Sequence, residues 1–291
     1  MGLPDPIDHL LALDAGSRGI GGFYRPGGAR RAAQSLARGK RVLLTTGFAV
    51  GPGMAETDGP PGAAVLGRAL RRLGKAVSYL TDESAAPLLA AALGVLGESA
   101  EMALFPRDGA AGGARVLGAH DRPSHLVAVE RPGRTRDGDY RNARGESIAA
   151  WNQPIDALFL APPRGVITVG IGDGGNEIGM GNVRRRLLRQ GTLAKRITSM
   201  VRVDHLVVAG VSNWGAYGVA AHLSILAKRP LLHTAEEERR LVTACVEAGG
   251  VDGITRRRVP TVDGLPLEVH VAMVELLRTL VDQQIRGGVR S

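Results

Sequence analysis

The chain of 291 residues contains one cysteine, Cys245. That excludes an intramolecular disulfide and any thiolate-based metal site. Its setting in "RRLVTACVEAGG", at helical spacing with Leu241 and Val242 and with no histidine beside it, reads as a buried structural thiol and not a nucleophile. Aromatic residues make up only 3%, so the 44% hydrophobic fraction builds its core from Ala, Val and Leu. Trp151 and Trp214 read as packing residues on the same grounds. No apolar run is long enough to cross a bilayer, and "MGLPDPIDHLLALDAG" lacks a basic stretch followed by an apolar one. The expectation is a cytoplasmic protein with no membrane partner. Familiar catalytic signatures are absent as well: no G-K-[ST] closes a glycine loop, no H-x-x-x-H occurs among the histidines, and no serine sits in a G-x-S-x-G elbow.

Acidic residues are in deficit, 28 Asp+Glu against 37 Lys+Arg, for a formal charge of +9. The excess is mostly arginine spread through helical patterns such as "GRALRRLG" and "NVRRRLLRQG". Such runs are solvated helix faces, and without interleaved aromatics they predict no nucleic-acid partner. A basic surface equally suits a small dianionic substrate.

Glycine, in contrast, is plentiful at 41 residues. It clusters after short apolar runs. "RVLLTT" (41–46) opens into "GFAVGPGMAETDGPPG" and then the helix "AAVLGRALRRLG"; "KAVSYLTDES" precedes "AAPLLAAALGVLG"; "HLVAVERPGR", "GVITVGIGDGGNEIGMGNVRRRLL" and "DHLVVAGVSNWGAYGVAAHLSILAKR" continue the scheme. Alternation of this kind predicts an α/β fold: a mostly parallel sheet with helices on both faces, Rossmann-like and three-layered. With no Pro/Ser-rich linker, residues 1–291 read as one domain: an N-terminal helical segment to about residue 38, a sheet core over about 41–230, and C-terminal helices over about 234–286. The polar residues Thr45, Thr46, Gly47, Glu130, Arg131, Asp173, Asn176, Glu177 and Asn213 all follow strands. Strand carboxyl ends line the crevice of an open parallel sheet, so these residues are expected to converge on one polar pocket.

The segment "GDGGNEIGMG" (172–181) packs five glycines around Asp173, Asn176 and Glu177. Gly170–Gly175 satisfies G-x-G-x-x-G, yet no acidic ribose-binding residue follows about 20 residues on, where the sequence is "RRRLLRQGTLAKR". Asp173 and Glu177 also lie where a pyrophosphate needs amide donors. The bland alternative is a helix N-terminus capped by Asp173 or Asn176, and Glu56 and Asp58 admit the same reading for the helix after them. "ERPGRTRDGDYRNARGES" reads by composition as either a surface hairpin or part of the site. Glu56, Asp58, Asp173, Asn176 and Glu177 are all oxygen donors, a set that suits Mg²⁺, Mn²⁺ or Ca²⁺; a divalent cation, if held, takes Asp173, Glu177 and Asp58 as ligands.

The ordered set "TTGFAVGPGMAETDGPPGAAVLGRAL", "VERPGRTRDGDYRNARGESI", "GVITVGIGDGGNEIGMGNV", "VSNWGAYGVAAHL" and "VDGITRRRVPTVDGLP" resembles the D-glutamate cyclase C-terminal-like family, over nearly the whole chain. One departure is Ala143, where the family pattern has methionine. The resemblance implies a stand-alone bacterial form of a lyase that closes D-glutamate to 5-oxo-D-proline and water. Its partner is then a free acidic amino acid, and a homo-oligomer stays open.

That chemistry needs a base near the amine, an acid near the departing oxygen and donors for the oxyanion. Asp173 and Glu177 are the candidates, with Glu56 or Asp58 as second partner. The amides of Gly174 and Gly175, the Asn176 side chain, and Thr45, Thr46 and Gly47 are candidate donors to the substrate. Glu130 and Asn213 line the predicted crevice, and Arg131 and Arg134 suit its carboxylates. Two other readings remain: a non-catalytic binding protein for an amino acid or nucleotide, and an enzyme of phosphate chemistry.

Overall fold

The β-branched and leucine-rich runs after Lys40 and Ser124 form the two central strands of the sheet. In the computed structural model, which describes residues 5–106 and 122–287, these are β1 (Arg41–Thr46) and β4 (His125–Val129). Around them lie β2 (Ala76–Thr81), β3 (Met102–Leu104), β5 (Ile167–Gly172) and β6 (His205–Val208), in the order β3-β2-β1-β4-β5-β6. Every neighbouring pair is parallel. β4 is buried throughout, and β1 is buried from its second residue on. Strands covered on both faces read as near-continuous apolar runs, which is why periodicity of two is faint here.

The alternation of side chains still sorts the core into two layers. Val42 and Leu44 of β1 and Val127 and Val129 of β4 point to one face, Leu43, Leu126 and Ala128 to the other. The first face is covered by α1 (Pro6–Leu11), α2 (Gly28–Arg38), α3 (Pro60–Arg72) and α4 (Ala86–Val95), with later long helices added. The second face is closed by short elements, α5 (Ala157–Leu160) and α6 (Arg184–Leu187), together with Ile155, Ile178 and Met180. One further short helix, α7 (Thr192–Ile197), precedes β6. The later long helices are α8 (Ser212–Ala227), α9 (Ala235–Glu247) and α10 (Leu267–Gly287); a hairpin of β7 (Thr261–Val262) and β8 (Leu265–Pro266) lies between α9 and α10. Among the described residues no helix is long and apolar enough to cross a membrane.

Two details depart from the sequence reading. The three-residue edge strand β3 is too short to show a periodicity. Helix α3 begins at Pro60–Pro61 and not at Ala63, because proline is at home in a first turn where its missing N–H has no helical partner. Cys245 is fully buried and burial pushes its thiol far above the ordinary range, in keeping with a structural role.

Candidate active site

The sheet order reverses between β1 and β4, and there the loops leaving the two strands diverge and leave a crevice at their carboxyl ends. The loop after β1 brings Glu56 and Asp58, the residue directly after β4 is Glu130, and the loop after β5 brings Asp173 and Glu177. All five carboxylates are at most 6% exposed. The loops after β4 and β5 are tied together by Gly133 N–H to Asn176 O at 2.9 Å and Ile178 N–H to Arg131 O at 2.9 Å. Glu130 has φ +43, a left-handed backbone unusual for a residue with a side chain, and it turns the chain sharply at the strand end.

Asp58 has a purpose that its position before α3 does not reveal. It accepts from the backbone N–H groups of Ser212 (2.9 Å) and Asn213 (2.8 Å), so it caps α8, whose own cap residue Val211 offers no side-chain acceptor. Asn213 returns the arrangement: its Oδ1 accepts from Gly59 N–H (3.0 Å) and Gly62 N–H (2.8 Å) at the start of α3. Gly59 itself has φ +102, and a Cβ there would lie 2.7 Å from Thr46 Oγ1 and 2.8 Å from Glu130 Cβ, so only glycine lets the loop reach this point. Each helix N-terminus is satisfied by a side chain from the other. Asn213→Ala leaves the Gly59 and Gly62 amides buried without that acceptor and is expected to cost about 2 kcal/mol; chemical denaturation measures it, and an unchanged midpoint would refute the cross-cap.

Glu177 also turns out to be held by backbone. Its Oε1 accepts from Gly174 N–H at 2.7 Å and its Oε2 from Gly175 N–H at 2.9 Å. The two amides assigned by sequence to an oxyanion are therefore engaged, because the carboxylate three residues on folds back over its own loop. Asn176 donates to Arg141 O at 2.8 Å while lining the cavity. Thr45 and Thr46 are buried with hydroxyl oxygens that have no hydrogen-bond partner, and Gly47 stands beneath them with its carbonyl accepting from Arg131 Nη1 at 2.8 Å.

The two arginines expected to clamp substrate face elsewhere. Arg131 is fully buried, paired with Asp82 at 2.6 Å and donating to Gln153 O at 2.6 Å, so its guanidinium is a strut between strand ends. Arg134 grips Asp156 through Nε (2.8 Å) and Nη2 (2.8 Å), and Asp156 also accepts from Tyr140. An arginine fork satisfied on a buried carboxylate has its donors committed.

The cation in the site is one the sequence did not single out. Arg18, on the loop after α1, pairs with both Asp173 and Asp263. Asp14 fixes that loop by accepting from the N–H groups of Arg18 (2.7 Å), Gly19 (2.7 Å) and Ile20 (3.2 Å). Asp263 was hidden for a physical reason: Asp263-Gly264, with φ +57 and +75, is the two-residue turn of the β7–β8 hairpin, and Asp-Gly there reads as turn chemistry.

Arg18, Phe48, Glu56, Glu130, Glu177 and Asp263 line a cavity of about 190 Å³, together with Asn142, Arg144 and Arg256. Burial raises Glu56 well above the carboxylate range, and Asp263 and Asp58 add to it. Burial likewise raises Glu130, reinforced by Glu177 and Glu56. Burial raises Asp58, with Asp263, against the pull of the α8 amides; burial raises Asp173 despite Arg18. Burial opposes the charge on Arg18, but Asp173 and Asp263 outweigh it and hold the guanidinium well above its usual range. The backbone N–H of Glu56 donates to Phe48 O at 2.9 Å, whereas its carboxylate accepts no hydrogen bond among the described residues, and Gly253 packs directly against it.

Asp58, Glu130 and Asp173 each present an oxygen within 4.8 Å of the others, so these three buried carboxylates can hold a metal ion. Asp173 Oδ2 is buried without a partner. Glu130 takes the place in this trio expected for Glu177, since both Glu177 oxygens are taken up by the loop amides.

Comparison with known proteins agrees with the sequence motifs. The model of the family described as D-glutamate cyclase-like, C-terminal, matches residues 7–278. This chain belongs to that family. It is 34% identical over 321 aligned positions to the human mitochondrial D-glutamate cyclase, covering 95% of this chain and 51% of that protein. The chain thus spans about half the length of that relative. Two solved structures resemble the D-glutamate cyclase-like chain remotely: an exopolyphosphatase-related protein from Bacteroides fragilis (9% identity, 89% of this chain and 60% of that one, TM-score 0.43), and exonuclease RecJ bound to manganese (14%, 75% and 42%, TM-score 0.36).

Proposed function

We propose that the chain is a lyase that cyclises a free acidic amino acid, D-glutamate to 5-oxo-D-proline and water. The observation that carries this reading is Glu56: a buried carboxyl in a small cavity, raised by its surroundings and without a hydrogen bond to tie it down. Family membership supports the substrate. A cavity of about 190 Å³ is smaller than the common range for drug-sized ligands and suits a small metabolite.

The reaction joins the α-amine nitrogen to the side-chain carboxyl carbon and breaks one carbon–oxygen bond. Two protons leave the substrate ammonium, and both end on the departing oxygen, which leaves as water. A group that accepts a proton from nitrogen and returns it to oxygen works best above the ordinary carboxylate range, and burial with the neighbouring Asp263 and Asp58 moves the Glu56 carboxyl in that direction. Arg18 supplies fixed positive charge beside the developing oxyanion. The carboxylate floor of Glu130, Glu177 and Asp263 attracts the ammonium and holds the amine on the Glu56 side.

A divalent cation belongs to the same proposal. Six carboxylates, Glu56, Asp58, Glu130, Asp173, Glu177 and Asp263, are buried here, and Arg18 pairs with two of them. Buried charge in such excess is stable only when neutralised by protons or cations. Asp58, Glu130 and Asp173 are the ligands, a hard oxygen set of the kind that takes Mg²⁺ or Mn²⁺. When bound, the ion would supply Lewis-acid polarisation of the carboxyl group.

Purified protein incubated with D-glutamate, with and without Mn²⁺ or Mg²⁺, should yield 5-oxoproline detectable by chiral chromatography and mass spectrometry. Absence of product under all these conditions would sink the substrate assignment. A second, independent check uses Gly253. A Cβ there would lie 1.8 Å from Glu56 Oε2, the far end of a movable side chain, so Gly253→Ala should displace the carboxyl with little loss of stability. Turnover is expected to fall about 10²-fold with the melting temperature nearly unchanged; full activity would show that the placement of Glu56 is immaterial.

A further inference from the structure

Resting on the reading above, we infer that Arg144 and Arg256 form the receptor for the substrate's α-carboxylate and thereby set the preference for a dicarboxylic amino acid. The cavity lining carries groups of both signs: the buried Glu56, Glu130, Glu177 and Asp263, and the guanidiniums of Arg18, the exposed Arg144 and the half-buried Arg256. Arg18 is paired with Asp173 and Asp263, which leaves Arg144 and Arg256 for an anion. The carboxylate that stays charged throughout the reaction is repelled by the acidic groups and attracted to these guanidiniums, an ammonium group has the opposite preference, and the reacting carboxyl has Arg18 beside it.

The cyclising conformer decides which carboxylate goes where. The amine must approach the side-chain carboxyl carbon, so both reacting groups lie together beside Glu56. The α-carboxylate takes no part in bond making and is the one group left to extend toward Arg144 and Arg256.

These two arginines are held in place by contacts from segments far apart in the chain. Arg144 Nη2 donates to Ile254 O at 2.9 Å, and Arg256 Nη2 pairs with Glu146 at 2.5 Å, so segments 142–146 and 254–256 are laced together across the cavity. Arg256 has φ +58, a left-handed backbone for a residue with a side chain. Its loop is anchored by Asp252, whose carboxylate accepts from Ile254 N–H (3.0 Å), Thr255 N–H (2.7 Å), Thr261 Oγ1 (2.7 Å) and Gly264 N–H (2.7 Å). Arg256 Nε is buried with no acceptor among the described residues, an unmet charged donor of the kind that a bound anion satisfies. Arg144 spends one hydrogen bond on a described residue and keeps the rest of its fork.

The test compares D-glutamate with 4-aminobutanoate, which carries the same amine and reacting carboxyl but no α-carboxylate. Calorimetric titration of the full chain should show D-glutamate binding about 10- to 100-fold more tightly, the range of one to two charge-assisted hydrogen bonds. Arg144→Gln and Arg256→Gln should each shrink that gap, and the double variant should abolish it while 4-aminobutanoate binding stays as in the wild type. Glu146→Gln, which breaks the ion pair but spares both guanidiniums, should keep the gap. A wild type with no gap, or a gap intact in the double variant, overturns the inference. The two readings fail separately. Product formation from D-glutamate with KM unchanged in the double variant removes this inference alone, whereas a gap that depends on the arginines without any 5-oxoproline removes the cyclase reading alone.

Discussion

Glu56→Gln is expected to lower conversion of D-glutamate to 5-oxoproline by about 10²- to 10⁴-fold, the usual contribution of a positioned proton-transfer group. Glu56 is 6% exposed, desolvation raises its carboxyl, and Asp263 and Asp58 raise it further. Glutamine keeps the shape, removes the proton and relieves the like-charge repulsion, so the melting temperature should hold or rise. Glu177→Gln should behave differently. It replaces a carboxylate oxygen that accepts from a loop amide by an NH₂ donor, so its first effect is on the order of the 173–179 loop, and activity falls together with stability. A Glu56→Gln protein that turns over D-glutamate at the wild-type rate would remove Glu56 from the chemistry.

The second large effect is on stability, through pH and metal. Glu56, Asp58, Glu130 and Asp173 are all raised, with burial as the leading cause in each. A carboxyl whose pKa is higher in the fold than in the unfolded chain makes the fold bind more protons. Its contribution is present in full below the unfolded value of about 4 and is lost as pH rises toward the folded value. Metal-free protein should therefore lose stability progressively from about pH 4 upward, the reverse of ordinary acid denaturation.

A divalent cation replaces those protons. In the presence of chelator the melting temperature should fall as pH rises above about 4, and Mn²⁺ at about 100 times its Kd should restore roughly 5–10 °C where the carboxyls have ionised. At pH 5 the ion competes with protons and should restore less. Glu130→Gln and Asp173→Asn should each remove the Mn²⁺ response; a response that survives both substitutions would place the ion elsewhere, and a melting temperature that rises with pH in chelator would refute the protonated cluster.

The neighbourhood of the site is written in the sequence motifs, but the partners of several of its residues are not. Strands β1, β4 and β5 were legible because continuous apolar runs followed by glycine and acidic residues have few other meanings in an α/β pattern. Glu56, Asp58, Glu130, Asp173 and Glu177 followed from standing just after those strands. The arginines did not. "ERPGR" presents two of them next to a strand end, but Arg131 is spent on Asp82 and backbone carbonyls and Arg134 on Asp156, and neither partner is near in sequence. Arg18 lies 155 residues from Asp173, and Arg256 is 110 residues from its partner Glu146. Spacing along a chain carries no signal for pairs of that kind.

By itself, the sequence determined the order of strands and helices, the parallel sheet and the edge of it where polar residues gather. Local propensity and apolar patterning act over a few residues, and parallel connection rules leave little freedom beyond that. Only the tertiary structure decided what each polar residue does there. Asp58 and Asn213 became reciprocal caps because α3 and α8 begin side by side. Glu177 became a brace for its own glycine loop, Glu130 joined Asp58 and Asp173, and Glu56 was left without a partner in the cavity. The physical reason is that a carboxylate's role is fixed by the donors, charges and solvent around it, and those are assembled from segments far apart in the chain.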